Sequence, residues 1–584
     1  MAVVAAIWLA LVAVDLRAAA QAGRHGRDVL AGSTLVGGDI ASLVAATDSS
    51  GAADPAGGIT DARATLESAN ADFSEAERRL GSPAVAPLKV LPFVGRQIRA
   101  VGEVTAAAAQ ISAASAEAMG ELEVLAASPT TDPSQRVEAV GDTITVLEGL
   151  AADLARVDLG PDRALVSQVR ELHESASEQV AELESSVESA IIGLQGVGSF
   201  LTGPTTYLVL AANNAEMRAG SGMFLQNGTV TVDQGRFELS DFTPTADMFL
   251  SESGTTLDPD MAARWGTLQP DREWRNLNMS PRFDESARMA ADMWAASGRG
   301  QVDGVIAVDI VTVQRLLELT GPVDVTTSTG QVVTYDSDNV VALLAREQYF
   351  TDLAPEDRRD ELGTVASAVF DAFNEREIPA TGLVSLITGS GAQRHLLMWS
   401  ADPVQQRSWE ELGIAGELPP EALMLALLNR GGNKLDPYMT VTADLDVEGV
   451  EAGRRRVTVE VNMRNDAPEW LPPYVAGPVE GSGGVAGEYV GILALSVPKS
   501  ATEPTTSANG WAVIGEDGPT RVIGSNVAIP RGTSLTVTFG FELPEWEDEL
   551  VVVPGAREPA TSWTAGQMRW TEQRPTTVPL DGFD

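Results

Sequence analysis

Cysteine is absent from all 584 residues. That excludes disulfides, thiolate metal sites and a cysteine nucleophile. Histidine occurs three times, as His25, His173 and His395. No zinc spacing of the HExxH kind exists, and a histidine-based triad would have to draw on isolated residues. Positive charge is scarce beside negative: 40 Lys and Arg against 82 Asp and Glu give a formal net charge of −42. The basic footprint of general nucleic-acid binding is therefore missing. Such a charge favours solubility and would repel anionic membrane surfaces. Few lysines beside abundant Ala and Gly fit a high-GC bacterial coding bias. Beyond residue 15 no run approaches 18 uninterrupted apolar residues, so the rest of the chain is expected on one side of a membrane.

Apolar content is 44%, enough for real cores. The length predicts three to four domains. Residues 1–14, MAVVAAIWLALVAV, carry no charge. As a helix they would reach about 21 Å, short of a hydrocarbon core of roughly 30 Å. A signal-peptide core would have basic residues before it and a cleavage site after it. Here the helical pattern runs on through DLRAAAQ. Residues 1–15 are therefore expected to be a truncated transmembrane anchor, single-pass, with the bulk of the chain extracytoplasmic.

Residues 16–202 have helical spacing and predict a helical stalk, whose simplest role is a spacer. Apolar residues recur at three and four over 98–125, 137–157 and 162–201, and prolines mark the breaks. In the last segment the period is nearer eleven than seven, which predicts a nearly straight helix. LKVLPFVG (88–95) is an apolar turn expected to dock on a neighbouring element. Over 203–436 short strands alternate with helices, which predicts an α/β layered domain. Its strands include TYLVLA (206–211), QVDGVIAVD (301–309) and HLLMWS (395–400), with a hairpin turning at 233–235. Residues 437–584 alternate with period two, as in Val457, Val459, Val461 and Met463, and predict an antiparallel β-sandwich.

NNAEMRAGSG (213–222) follows the first central strand. Ligands of open α/β sheets bind at the carboxyl ends of strands. Asn213, Asn214, Glu216 and Arg218 occupy that place, and Gly220 and Gly222 would let backbone amides approach an anion. Arg272, Arg275, Arg282, Arg346, Arg358 and Arg359 follow in the same segment. Guanidinium groups grip phosphate or carboxylate bidentately. Alternatively, each pairs with one of the many surface carboxylates.

LVLAANNAEMRAGSGMF, DGVIAVD with LLELTGPVDV, GGNKLDPYM (431–439) and NDAPEWLP (465–472) resemble an uncharacterised bacterial family known as a domain of unknown function, number four thousand and twelve. The likeness extends over nearly the whole chain, stalk included, and implies no established activity. The order of strand, polar turn, arginine, hairpin, VDGVIAVD, helix, TGPVDV and AREQYF…RRDELGTVASAVFDAF (345–373) is more distantly similar to the LytR–CpsA–Psr envelope phosphotransferases. That resemblance implies transfer of a glycopolymer from a polyprenyl-pyrophosphate lipid, with arginines on the pyrophosphate and aspartates on Mg²⁺. Asn213 or Asn214 falls at that family's first-turn aspartate, Arg218 at the arginine of its RSDT motif and Asn278 near the asparagine of its KIN segment. Arg346 and Arg359 fall at its later arginines. RSDT is replaced by Arg218-Ala219-Gly220-Ser221, without its aspartate; Glu216 is the candidate for a metal ligand or a base, and otherwise the site is a metal-free anion cradle.

Three functions are expected. The first is a glycopolymer transferase with catalytic Glu216 and Arg218, a site of Asn213, Asn214, Arg218, Arg275, Asn278, Arg346 and Arg359, and Mg²⁺ on Glu216 if a metal is used. The second is a non-catalytic scaffold binding an envelope glycolipid or cell-wall polymer. The third is a carbohydrate hydrolase with paired carboxylates, for which sequence cannot supply the required separation.

Overall fold

The computed structural model describes residues 2–31, 55–130, 132–327, 330–350, 355–451, 453–478 and 484–581. The protein is a mixed α/β multidomain chain with helices at its N-terminal end and β-structure at its C-terminal end. It divides into two compact units, residues 1–199 with 378–385, and residues 200–377 with 386–584.

The first unit is built on α1 (Ala2–Ala31), α2 (Pro55–Leu80), α3 (Val94–Ala126), α4 (Pro133–Leu154) and α5 (Ser167–Thr202). Small residues let α1, α2 and α3 approach: Ala19, Ala76, Leu80, Val85 and Ile98 form one cluster, and Ala69, Phe73 and Ala109 another. Asp132 caps α4 in a reciprocal capping box with Gln135, as an Asp-Pro-x-Gln start favours. Among the described residues no helix is long and apolar enough to cross a membrane. The stripe of α5 is only partly covered, with Leu172 39% exposed. The turn 88–95 docks only in part: Leu88 packs on the first of these clusters, whereas Val90 is 81% and Phe93 82% exposed.

In the second unit a mixed sheet has the order β5–β4–β1–β2–β3: β1 (Thr205–Met217), β2 (Gly222–Asp233), β3 (Arg236–Leu239), β4 (Gly304–Val308) and β5 (Leu396–Ser400). The β1–β4 pair is parallel and the others antiparallel. The β2–β3 hairpin turns at Gln234 (φ 49°) and Gly235 (φ 75°), the left-handed pair of a two-residue turn. Alternation along the strands splits the faces. Leu208, Leu210 and Phe224 enter a core with Met279, Phe283 and Met289 of the α6 (Phe283–Ala296) region. Val209, Ala211, Met223 and Leu225 point to the other side. There lie α7 (Ile310–Thr320), capped by Asp309 and ended by Gly321 (φ 75°), then α8 (Val340–Ala345) and α9 (Pro355–Glu375).

The short strand Thr243–Pro244 pairs with β2 as a sixth member of the mixed sheet, and two other six-stranded sheets pack on each other. Val457, Val459 and Val461 pair with Phe541, Phe539 and Val537, all buried, as period-two alternation requires. The sheets are not wholly antiparallel, since Ala422 pairs parallel with Val551 and Thr442 with Ser562. One of their strands is β6 (Ala422–Asn429), a continuous apolar run before residue 437. Leu423, Leu425 and Leu427 face the core between the two sheets, while Ala426 and Leu428 face the core of the mixed sheet. A strand buried on both faces loses the alternating signal.

Candidate functional site

The register of β1 against β2 jumps between Asn213 and Met217. Residues 214–216 leave the ladder there, and Asn214 and Glu216 line a cavity of about 590 Å³. Gly222 makes this possible: a Cβ on it would lie 2.4 Å from the Asn213 carbonyl carbon. The amide of Gly220 donates to Asn278 O at 3.2 Å. These glycines therefore serve close backbone approach and not, as expected, an anion cradle.

The cavity is two-sided in chemistry. Val209, Met223 and Leu225 of the sheet face Val313 and Leu316 of α7, Leu344 of α8, and Val369 and Phe370 of α9. Its polar end holds Asn213, Asn214, Glu216, Arg218, Glu273, Arg275 and Lys434.

Most of these charges are already satisfied. Glu216 bonds the Lys434 ammonium and also accepts from Asn213 Nδ2 at 3.2 Å. Lys434 lies 5.4 Å from the Tyr349 ring centroid and 4.9 Å from that of Tyr474. Burial alone would lower the Lys434 pKa, but the carboxylate and both tyrosines outweigh it and hold the ammonium above the ordinary lysine range. Arg275 makes a fork to Glu273, with Nε at 2.8 Å and Nη2 at 2.6 Å from its two oxygens.

Arg218 differs. It is 7% exposed, and its Nη1 donates to Asn429 O at 2.6 Å and Met217 O at 3.1 Å. Its Nε has no partner, and among the described residues it makes no ion pair. Burial lowers its pKa, with Glu216 and Asp436 nearby opposing that. Arg218 is thus a buried guanidinium at the polar end of the cavity, held by two carbonyls rather than by a carboxylate.

The floor beneath is a second buried network. Asp436 accepts from Met217 N (3.1 Å), Asn429 Nδ2 (2.9 Å) and Tyr489 OH (3.1 Å), and pairs with Arg557 at 3.4 Å. Asn214 Nδ2 donates to Asp309 Oδ2 at 2.7 Å, which also lies 2.6 Å from His395 Nδ1. Asn214 Oδ1 is buried without a partner.

Asn213, Asn214, Glu216, Arg218 and Arg275 are thus gathered around one cavity. Asn278 is beside it but structural: its Nδ2 donates to Gly222 O at 2.7 Å and Ser221 Oγ at 3.2 Å. Arg346 does not line the cavity. It is exposed, donates to Pro437 O at 3.0 Å and sits 5.5 Å from the Tyr438 ring centroid. Arg359 falls on α9, but its side chain, like that of Arg358, lies outside the described residues. Arg282 is occupied by Asp258 and Asp284, and Arg272 by the carbonyls of Leu250 and Ser251. Mg²⁺ is usually held by one or two carboxylates, with phosphates and waters completing its shell. Glu216 is engaged by Lys434, and among the described residues no three acidic or histidine side chains gather in a metal-binding group.

Lys434, Asp436 and Asn429 were the residues that sequence reasoning missed as site builders. One signal was available: the chain has only three lysines, Lys89, Lys434 and Lys499, and the middle one stands inside GGNKLDPYM.

Residues 202–349 match the family model described as "Protein of unknown function (DUF4012)". The match spans β1 to Tyr349 and leaves out Lys434 and Asp436, so it is narrower than the likeness expected over nearly the whole chain. No curated protein matches the chain, and no solved structure does.

Proposed function

Taking the chain as one that carries a DUF4012 domain over residues 202–349, we propose that it is a membrane-anchored, extracytoplasmic envelope protein that binds a lipid-linked anionic headgroup. The polyprenyl-pyrophosphate carrier of a glycopolymer has the chemistry required. The apolar length of the cavity takes part of the hydrocarbon chain, and the phosphate lies at Arg218. The observation that carries this reading is the combination of a cavity of about 590 Å³, apolar along one length, with a buried, unpaired guanidinium at its polar end. Pockets of this size and lining bury most of a small ligand's surface.

The geometry favours binding over transfer. A transferase on the LytR–CpsA–Psr pattern would gather several arginines on the pyrophosphate, yet Arg346 is exposed and Arg275 is neutralised by Glu273. Glu216 is no free base, because Lys434 holds it. We therefore take the non-catalytic scaffold as the principal reading.

The test is calorimetric titration of the full chain with farnesyl pyrophosphate and with inorganic pyrophosphate. The wild type binds the prenylated compound at least tenfold more tightly than the inorganic one. Arg218→Met weakens the prenylated ligand by about 10–100-fold, as loss of a hydrogen bond to a charged group implies. Equal affinity of wild type and Arg218→Met, or no binding of either ligand, would sink the proposal. Consumption of a polyprenyl-pyrophosphoryl sugar by the purified protein would replace it with the transferase reading.

A further inference from the structure

The apolar turn left uncovered in the first unit lies at one end of the helical bundle, and that end is also where the uncharged N-terminal segment emerges. The pairing of α1 with α2 fixes this. His25 Nδ1 lies 2.6 Å from Asp72, whereas Asp15 accepts from Arg79 at 3.3 Å and from Ser82 Oγ at 2.7 Å. So α1 and α2 run antiparallel, and residue 15 is level with the start of the turn that joins α2 to α3. Residues 2–14 continue α1 past that level for about 20 Å.

The turn itself is divided. Val85 is fully buried and Leu88 packs on the same cluster, while Val90, Leu91, Phe93 and Val94 face out at 81, 45, 82 and 47% exposure. Gly95 locks this shape, since a Cβ there would come within 2.2 Å of Lys89 O. An ordered turn that buries its inner apolar residues and presents its outer ones is not a loose loop.

Directly behind it is a crevice of about 290 Å³ lined by Arg96, Arg99 and Arg163, with Glu103 the one acid. Gln97 braces it, donating to Ala164 O at 3.2 Å and accepting from Val166 N at 3.0 Å. Arg99 bonds Lys89 O, and none of the three arginines makes an ion pair among the described residues. In a chain of net charge −42, three arginines without an ion pair thus gather around one crevice next to an exposed phenylalanine, with a single acid, Glu103, among them.

We propose that this end of the bundle is a seat for an anionic phospholipid surface. Val90, Leu91 and Phe93 enter the boundary between headgroups and acyl chains. Arg96, Arg99 and Arg163 take a headgroup phosphate in the crevice. A lipid surface fits better than a protein partner because the turn and residues 2–14 point the same way, and because apolar tip and basic collar are ordered as headgroup and acyl layers are. The acidic remainder is repelled by the same surface, so the seat also orients the molecule. The proposal rests on the membrane-anchored reading above and is independent of the cavity.

The absence of cysteine makes the test clean. Single nitroxide labels are placed on the full chain at Phe93→Cys, Leu11→Cys and Val124→Cys, all exposed positions. The protein is reconstituted in phosphatidylcholine vesicles with and without one quarter phosphatidylglycerol. Collision with oxygen and with a nickel chelate reports depth. In anionic vesicles the oxygen-to-nickel ratio at Phe93 rises at least threefold over that at Val124, which stays in water. Arg96→Gln/Arg99→Gln/Arg163→Gln returns Phe93 to the Val124 value. A water-exposed Phe93 label beside a lipid-buried Leu11 label overturns the seat while the anchor stands. Both labels in water overturn seat and anchor together. A buried Phe93 label indifferent to phosphatidylglycerol and to the arginine variant overturns the headgroup site.

Discussion

Replacing Lys434 by methionine decides whether Glu216 is a structural partner or a carboxylate free for chemistry. Methionine keeps most of the stem and removes the ammonium. The side chains of Lys434 and Glu216 are 6% and 13% exposed, so the variant strands a carboxylate in a nearly dry site. Removing one member of a buried pair costs about 3–5 kcal/mol. Loss of the cation between Tyr349 and Tyr474 adds about 1 kcal/mol. With an unfolding entropy of about 2 cal/mol/K per residue, a unit of several hundred residues should melt roughly 5 °C lower. The double variant Lys434→Met/Glu216→Gln removes the stranded charge and regains at least half of the loss. Urea unfolding followed by tryptophan fluorescence measures all three proteins and yields the coupling term. Were Lys434→Met within about 0.5 kcal/mol of wild type, or the double variant no better than the single one, Glu216 would be solvated and available. The case against it as base or metal ligand would then fall.

Two other outcomes are expected from the same fold. Gly222→Ala drives a Cβ to 2.4 Å from the Asn213 backbone, and neither strand can yield, so we expect a loss of about 3 kcal/mol and a displaced 213–217 segment, read by hydrogen exchange at Ala215 and Met217. Unchanged exchange would mean that the bulge does not depend on this contact. Burial pushes the Glu572 carboxyl up to about 7 from 4.5, against hydrogen bonds from Trp563 Nε1 and Gly555 N. The folded state then holds the proton more tightly than the unfolded one. Its contribution, at most about 3 kcal/mol, is full below pH 4.5 and is lost as pH rises through 7. The difference in unfolding midpoint between wild type and Glu572→Gln should therefore fall across that window, and a flat difference would refute the assignment.

Where apolar residues recur with a clean period, local structure was legible in the sequence. The helices over 94–126 and 133–154, the hairpin at 233–235, and the facing of Val457, Val459 and Val461 all follow from spacing, because one face of each element is buried and the other is not. Strand β6 was not legible, since burial on both faces erases the alternation. The turn at 88–95 was only partly legible, for a different reason. Apolarity predicts removal from water but does not say whether the chain itself supplies the cover.

The candidate site divides in the same way. That an amide-rich stretch leading to Arg218 stands at the carboxyl end of a central strand is a matter of chain order, and the sequence by itself determined it. That this stretch is a bulged continuation of the strand and not a turn after it was decided by its pairing with β2. Which of the charges near it remain free was decided only by tertiary structure. Lys434 and Glu216, 218 positions apart, neutralise each other, and Glu273 silences Arg275, whereas Arg218 is left facing carbonyls. Pairing of charges depends on distances of a few ångströms between segments remote in the chain. No local pattern of residues encodes those distances, because they are fixed by how the sheets pack and not by how each strand forms.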